Sequence, residues 1–204
     1  LRLRWSLMPG LALYSITGYE QVKTFSRGDI DGGVAGVGPG VVPFSSETAD
    51  GMPKHRQITQ ELRLESDTKG LLDWQAGVFF FDEDYKIESF SWNTQGNPAA
   101  VPPIAPGSQD GYQRVRQTNK ALAVFGALNY AVTPQLKLRG GLRYTQDKKD
   151  FNVEAYEFSA FVPCVLSAKC TLAELAAQGP IRADTDDKKT NWDLSGTYAL
   201  NKDI

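Results

Sequence analysis

The stretch Leu136-Lys137-Leu138-Arg139-Gly140-Gly141-Leu142-Arg143-Tyr144-Thr145 decides the fold. Leu136, Leu138, Gly140, Leu142 and Tyr144 fall on one side of an extended chain. Lys137, Arg139, Gly141, Arg143 and Thr145 fall on the other. Successive strand side chains point to opposite faces, so a period of two marks a β-strand with one apolar and one polar face. Just upstream, Leu122, Val124, Gly126, Leu128 and Tyr130 repeat the pattern, and Val132-Thr133-Pro134-Gln135 supplies a short turn between the two strands.

Further strands read out in both directions. Leu1, Leu3, Trp5 and Leu7 alternate with Arg2, Arg4 and Ser6, and Met8-Pro9-Gly10 makes a turn into a strand from Leu11 to about Phe25. Ile58, Leu62 and Leu64 alternate with Gln57, Thr59, Glu61, Arg63 and Glu65. After the turn Asp67-Thr68-Lys69-Gly70, Leu72, Trp74, Ala76, Val78 and Phe80 alternate with Asp73, Gln75 and Gly77, in a strand that runs to about Phe90. The last strand sets Trp192, Leu194, Gly196, Tyr198 and Leu200 against Asn191, Asp193, Ser195 and Thr197.

Between these strands lie three long stretches without alternation, about 27–55, 93–113 and 153–188, rich in Gly or Pro or, in the third, holding both cysteines and an Ala/Leu/Glu run at 171–178 with short-helix character. Short and long connections thus alternate strictly. Loops this long are unusual inside a compact soluble domain. They are usual in outer-membrane barrels, whose periplasmic turns are short and whose extracellular loops are long.

Composition narrows the function. The chain has 204 residues, a formal net charge of −2, 11% aromatic residues and 19 glycines. The absence of a basic excess argues against a nucleic-acid partner. No apolar run reaches the length of a membrane helix, but alternating strands cross a membrane without one. Several strands exceed the nine to eleven tilted residues that suffice. Tyr130, Tyr144 and Tyr198 sit where an interfacial aromatic girdle belongs. Charges such as Arg63, Asp73, Lys137, Arg139 and Arg143 could not fill the dry interior of a small barrel without large desolvation costs. They are the candidates for a wet or plugged lumen.

The expected fold is therefore all-β: an antiparallel up-and-down transmembrane β-barrel, present as about seven strands. A chain that opens and stops beside strands reads as a fragment, and such a fragment is not expected to close into a stable monomer by itself. A soluble β-barrel binding module would need the charges outside and the apolar side inside.

Other constellations point less far. Asp82-Glu83-Asp84 and Asp184, Asp186 and Asp187 offer oxygen donors for a hard cation, although charged runs on a rim are usually just solvated. Two cysteines and one histidine are too few for a zinc site. The run Gly32–Gly40 lacks the sequel of a phosphate loop. His55 has no acid or nucleophile at a recognisable spacing, so no enzyme and no cofactor are expected.

Several segments resemble barrel strands of TonB-dependent outer-membrane receptors. They are Leu13-Tyr14-Ser15-Ile16-Thr17-Gly18-Tyr19 with Phe25–Gly32, Gln60–Ser66 with Leu72–Phe80, and Phe125–Tyr130 with Leu138–Lys149. The Gly141-Leu142-Arg143-Tyr144-Thr145 run followed by charged residues is the most specific. The resemblance implies that residues 1–204 are part of a 22-stranded barrel domain closed by a plug that this sequence does not show. It also implies uptake of a scarce substrate, such as a ferric siderophore or another small nutrient, across the outer membrane of a Gram-negative bacterium with energy from the TonB complex. Its partners would be outer-membrane lipid, TonB and the substrate. A passive porin-like barrel is the alternative. On this topology Cys164 and Cys170 lie in an extracellular loop, where a local disulfide is permitted; two unpaired thiols remain the other reading.

Overall fold

A computed structural model describes residues 1–29, 47–66, 70–92, 109–157 and 180–200. They form seven strands: β1 (Arg2–Met8), β2 (Leu11–Asp29), β3 (Glu47–Ser66), β4 (Leu72–Trp92), β5 (Gln109–Ala131), β6 (Leu136–Glu157) and β7 (Ile181–Tyr198). All pair antiparallel with their chain neighbours in one sheet, in sequence order. The β1–β2 turn uses Gly10 at a φ of 77°, which a residue with a Cβ rarely adopts. In the β5–β6 turn the Thr133 hydroxyl accepts the Leu136 N–H at 2.9 Å and holds the strands in register.

Register aligns side chains into rows that cross the sheet. One row runs Trp5, Leu13, Leu64, Ala76, Gly126, Leu142, Trp192, each directly opposite the next. The next runs Leu3, Ser15, Leu62, Val78, Val124, Tyr144, Thr190. Directly opposed residues share a face, so these rows build one apolar surface. Nothing among the described residues covers it: Trp5, Leu62, Val78, Val124, Leu142 and Trp192 are all exposed, and the only buried apolar residues among those described are Ala12, Ala49 and Ala123. A sheet with this much bare hydrocarbon is unfavourable in water at about 25 cal/mol per Å2. It is stable against an apolar solvent.

The apolar surface ends sharply. Along β4 the outward residues are Leu72, Trp74, Ala76, Val78 and Phe80, then Asp82, Asp84, Lys86 and Glu88. The neighbours switch at the same row: Leu122 is followed by Lys120 on β5. From Leu72 to Phe80 the strand rises roughly 26 Å, or on the order of 20 Å after a barrel-like tilt. That is near the apolar band of about 25 Å of outer-membrane barrels. Beyond it the strands continue, and the opposite face turns apolar in its place: Ile87, Val115, Val153 and Ile181 stand in one row.

The strands are longer than the alternation predicts, and the three long stretches are correspondingly shorter. Residues 27–29 and 47–55 of the first belong to β2 and β3, 109–113 of the second to β5, and 153–157 and 181–188 of the third to β6 and β7. Pro53 explains part of the miss. Three steps on β3 oppose two on both β2 and β4 around Met52 and Pro53. This is a bulge, the position where a strand tolerates a residue with no N–H to donate. The remaining parts of the three stretches, with Cys164, Cys170, the glycine run and the short helix expected at 171–178, lie outside the described residues.

Candidate functional site

The polar face of the sheet carries the candidate residues, and the register sorts it into two levels. The level beside the apolar band is rich in arginine and aromatic rings. One row reads Arg4, Tyr14, Arg63, Gly77, Phe125, Arg143, Asn191. Guanidinium carbons of Arg2, Arg4 and Arg63 lie 5.0, 5.9 and 5.7 Å from the Tyr14 ring centroid. That of Arg143 lies 5.3 Å from Phe79 and 5.9 Å from Phe125. These are cation–π distances. Arg4 Nε also donates to the Tyr14 hydroxyl at 3.1 Å.

Arg63 is held between two carboxylates of its own strand. Its Nε is 2.7 Å from Glu65 and its Nη1 3.2 Å from Glu61. Arg63 Nε and Glu61 Oε1 nevertheless complete no hydrogen bond, so these contacts are ion pairs with poor angles. Asp73 opposes Asn129, which opposes Arg139, which opposes Ser195. Arg139 Nε approaches Asp193 at 4.0 Å, with both side chains well exposed. Lys137 stands nearer the turn, opposite Ala131 and Thr197. The five residues singled out from sequence thus share one face, with Arg63 and Arg143 in a single row.

The second level lies beyond the end of the apolar band and was not anticipated. His55 Nε2 is 3.1 Å from Glu83 Oε1. The other Glu83 oxygen accepts from the amide of Asn119, a buried polar side chain. Asn119 Oδ1 accepts from Gln117 at 2.9 Å, and Gln117 Oε1 accepts from the Tyr85 hydroxyl at 2.8 Å. Five side chains from three strands therefore form one chain of hydrogen bonds, and His55 Nδ1 is its unpaired buried end. His55 does have an acidic partner, contrary to the expectation from spacing, because the β3–β4 register and not the chain supplies it.

The acidic runs do not assemble as cation sites. In Asp82-Glu83-Asp84 the strand sends Asp82 and Asp84 to the outward face and Glu83 to the polar face. Asp184, Asp186 and Asp187 lie on β7 and not in a loop, again split between faces. No cluster of three or more metal-ligating side chains occurs among the described residues.

An ordered seven-strand meander, a bare apolar band and a polar opposite face describe a piece of barrel wall. The sequence profile described as TonB-dependent receptor-like β-barrel matches residues 2–204. The chain belongs to the TonB-dependent receptor β-barrel family. Among solved structures this receptor wall is similar to the crystal structure of FyuA, the ferric yersiniabactin uptake receptor of Yersinia pestis. The TM-score is 0.53 at 15% identity, over 94% of this chain and 26% of that one. The chain thus spans about a quarter of that receptor's length. No curated protein matches in sequence.

Proposed function

We propose that the chain is barrel wall of an outer-membrane active transporter, which takes up a scarce substrate with energy delivered by the TonB complex. The apolar face meets lipid. In this reading the polar face lines the lumen, and Arg63, Asp73, Lys137, Arg139 and Arg143 lie along the substrate path or against the plug. The observation that carries this reading is the coincidence, row by row across the sheet, of a bare apolar band with a charged opposite face. A soluble barrel has the reverse arrangement. The transport role is that of a wall and not of an enzyme. Ferric siderophores are the first substrate class to test, since FyuA is a ferric yersiniabactin uptake receptor.

The test is growth on ferric chelates as the sole iron source. Strains with and without the full-length receptor are compared in backgrounds with intact and deleted TonB. Growth that requires both supports the proposal. Growth that requires the receptor but not TonB would replace it with a passive porin-like barrel.

A further inference from the structure

The outward face of the apolar band is not uniform. On β4–β7 its positions, every second residue of Leu72–Phe80, Leu122–Tyr130, Leu138–Tyr144 and Trp192–Tyr198, are apolar or aromatic throughout. On β2 and β3 the same face carries Ser15, Thr17 and Gln60. These three lie within the band and not at its edge. Leu13 and Leu64 stand one row below Ser15, and Tyr19 and Ile58 one row beyond Thr17 and Gln60. Ser15 is opposed by Leu3 and Leu62, and Gln60 by Phe80.

The three side chains bond one another. Thr17 Oγ1 donates to Gln60 Oε1 at 2.6 Å. Gln60 Nε2 donates to Ser15 Oγ at 3.0 Å and to the Glu61 carbonyl at 3.1 Å. Both amide protons and the Thr17 hydroxyl proton are thereby used. The Ser15 hydroxyl proton has no acceptor among the described residues, and the Thr17 and Gln60 oxygens can each accept a further bond. Lipid tails offer no partner for them, and polar side chains at membrane depth face protein or water by preference. The trio is half-buried, while Leu3, Tyr19, Ile58 and Leu62 around it are exposed. The patch is a polar centre in an apolar rim.

We propose that a second copy of the chain docks on this patch in the plane of the membrane. The inference rests on the outer-membrane reading, and adds to it an assembly that the transport function does not require. Self-complementarity selects the occupant. Hydroxyl and carboxamide groups both donate and accept, and none of the three side chains is charged. A two-fold contact sets a patch against its own copy. Donors then meet acceptors and no like charges collide. Serine, threonine and glutamine side chains hold membrane spans together through such hydrogen bonds, and the exposed rim shields them from lipid.

The full-length receptor, with Cys164 and Cys170 replaced by serine, is given Leu62→Cys beside the patch or, as a control, Leu142→Cys on the same face three strands away. Each variant is oxidised with copper phenanthroline in lipid vesicles and resolved on a denaturing gel. A heat-shifted gel band reports barrel insertion independently. Leu62→Cys is expected to give a disulfide-linked dimer, and Leu142→Cys little. Adding Gln60→Leu to Leu62→Cys is expected to lower the dimer yield about tenfold, as loss of side-chain hydrogen bonds between membrane spans does, with insertion unchanged. Equal cross-linking at both sites, monomer alone from inserted Leu62→Cys, or a yield unchanged by Gln60→Leu would overturn the docking site and leave the barrel reading standing. Failure of the receptor without these substitutions to insert would overturn the outer-membrane reading and this inference together.

Discussion

The ring of Phe125 lies across Gly77, so close that a Cβ on Gly77 would meet its Cζ at 2.7 Å. The same Cβ would meet the Leu62 carbonyl oxygen at 2.6 Å. The two residues are directly opposed on β4 and β5, and an aromatic ring that covers a strand glycine is a device for fixing register. It also keeps Phe125 beside the Arg143 guanidinium.

Gly77→Ala is therefore expected to destabilise the barrel by about 1–3 kcal/mol, the usual cost of overpacking. Gly126→Ala, one residue beyond Phe125, is expected to have little effect, since its nearest contact would be an ordinary 3.7 Å. The midpoint of heat-induced unfolding on a gel, measured for both variants of the full-length receptor, checks the contrast.

The hydrogen-bonded chain on the second level predicts coupling. Glu83→Ala removes the acceptor of both His55 and Asn119, and an unsatisfied buried polar group costs about 1–3 kcal/mol. His55→Ala removes only one end. In a double-mutant cycle the two losses should fall short of additivity by at least about 0.5 kcal/mol. Strict additivity would mean that His55 and Glu83 do not interact.

The edge of the apolar band predicts a depth dependence. Val124 sits outward in the band, opposite Val78 and Tyr144. Val124→Arg should cost about 2–4 kcal/mol, as a cation on the lipid face near the midplane does. Thr118→Arg, on the same face of β5 but beyond Lys120, should cost less than about 1 kcal/mol. Folded yield in lipid vesicles measures both.

The sequence disclosed the fold where one face of each strand is apolar and the other polar. Leu136–Thr145 and Leu72–Phe80 alternate because one set of side chains builds the bare apolar surface and the other the polar face. Past the row of Asp82 and Lys120 that division stops. Outward positions such as Arg56, Lys54 and Asp184 are charged, and the opposite face carries Ile87 and Val115 instead. Alternation is lost or reversed there, so residues 47–55, 109–113 and 181–188 read as loop although they are strand. The polar face was legible by parity, which is why Arg63 and Arg143 were found. The His55–Glu83–Asn119 chain was not, because partners 28 and 36 residues apart are brought together by register alone. The role of Tyr14 as the ring under three guanidinium groups depends on register in the same way.

The orientation of the two faces is the central claim, and neighbouring residues of β6 test it most directly. Single cysteines are placed at Leu142 and at Arg143 in the full-length receptor, with Cys164 and Cys170 replaced by serine, and labelled with a spin probe in lipid vesicles. The account predicts that Leu142 is relaxed by membrane-dissolved oxygen and shielded from a water-soluble paramagnetic complex, and that Arg143 shows no such preference for oxygen. A lipid-like response at Arg143 with a water-like response at Leu142, or equal access of the water-soluble complex to both, would contradict it.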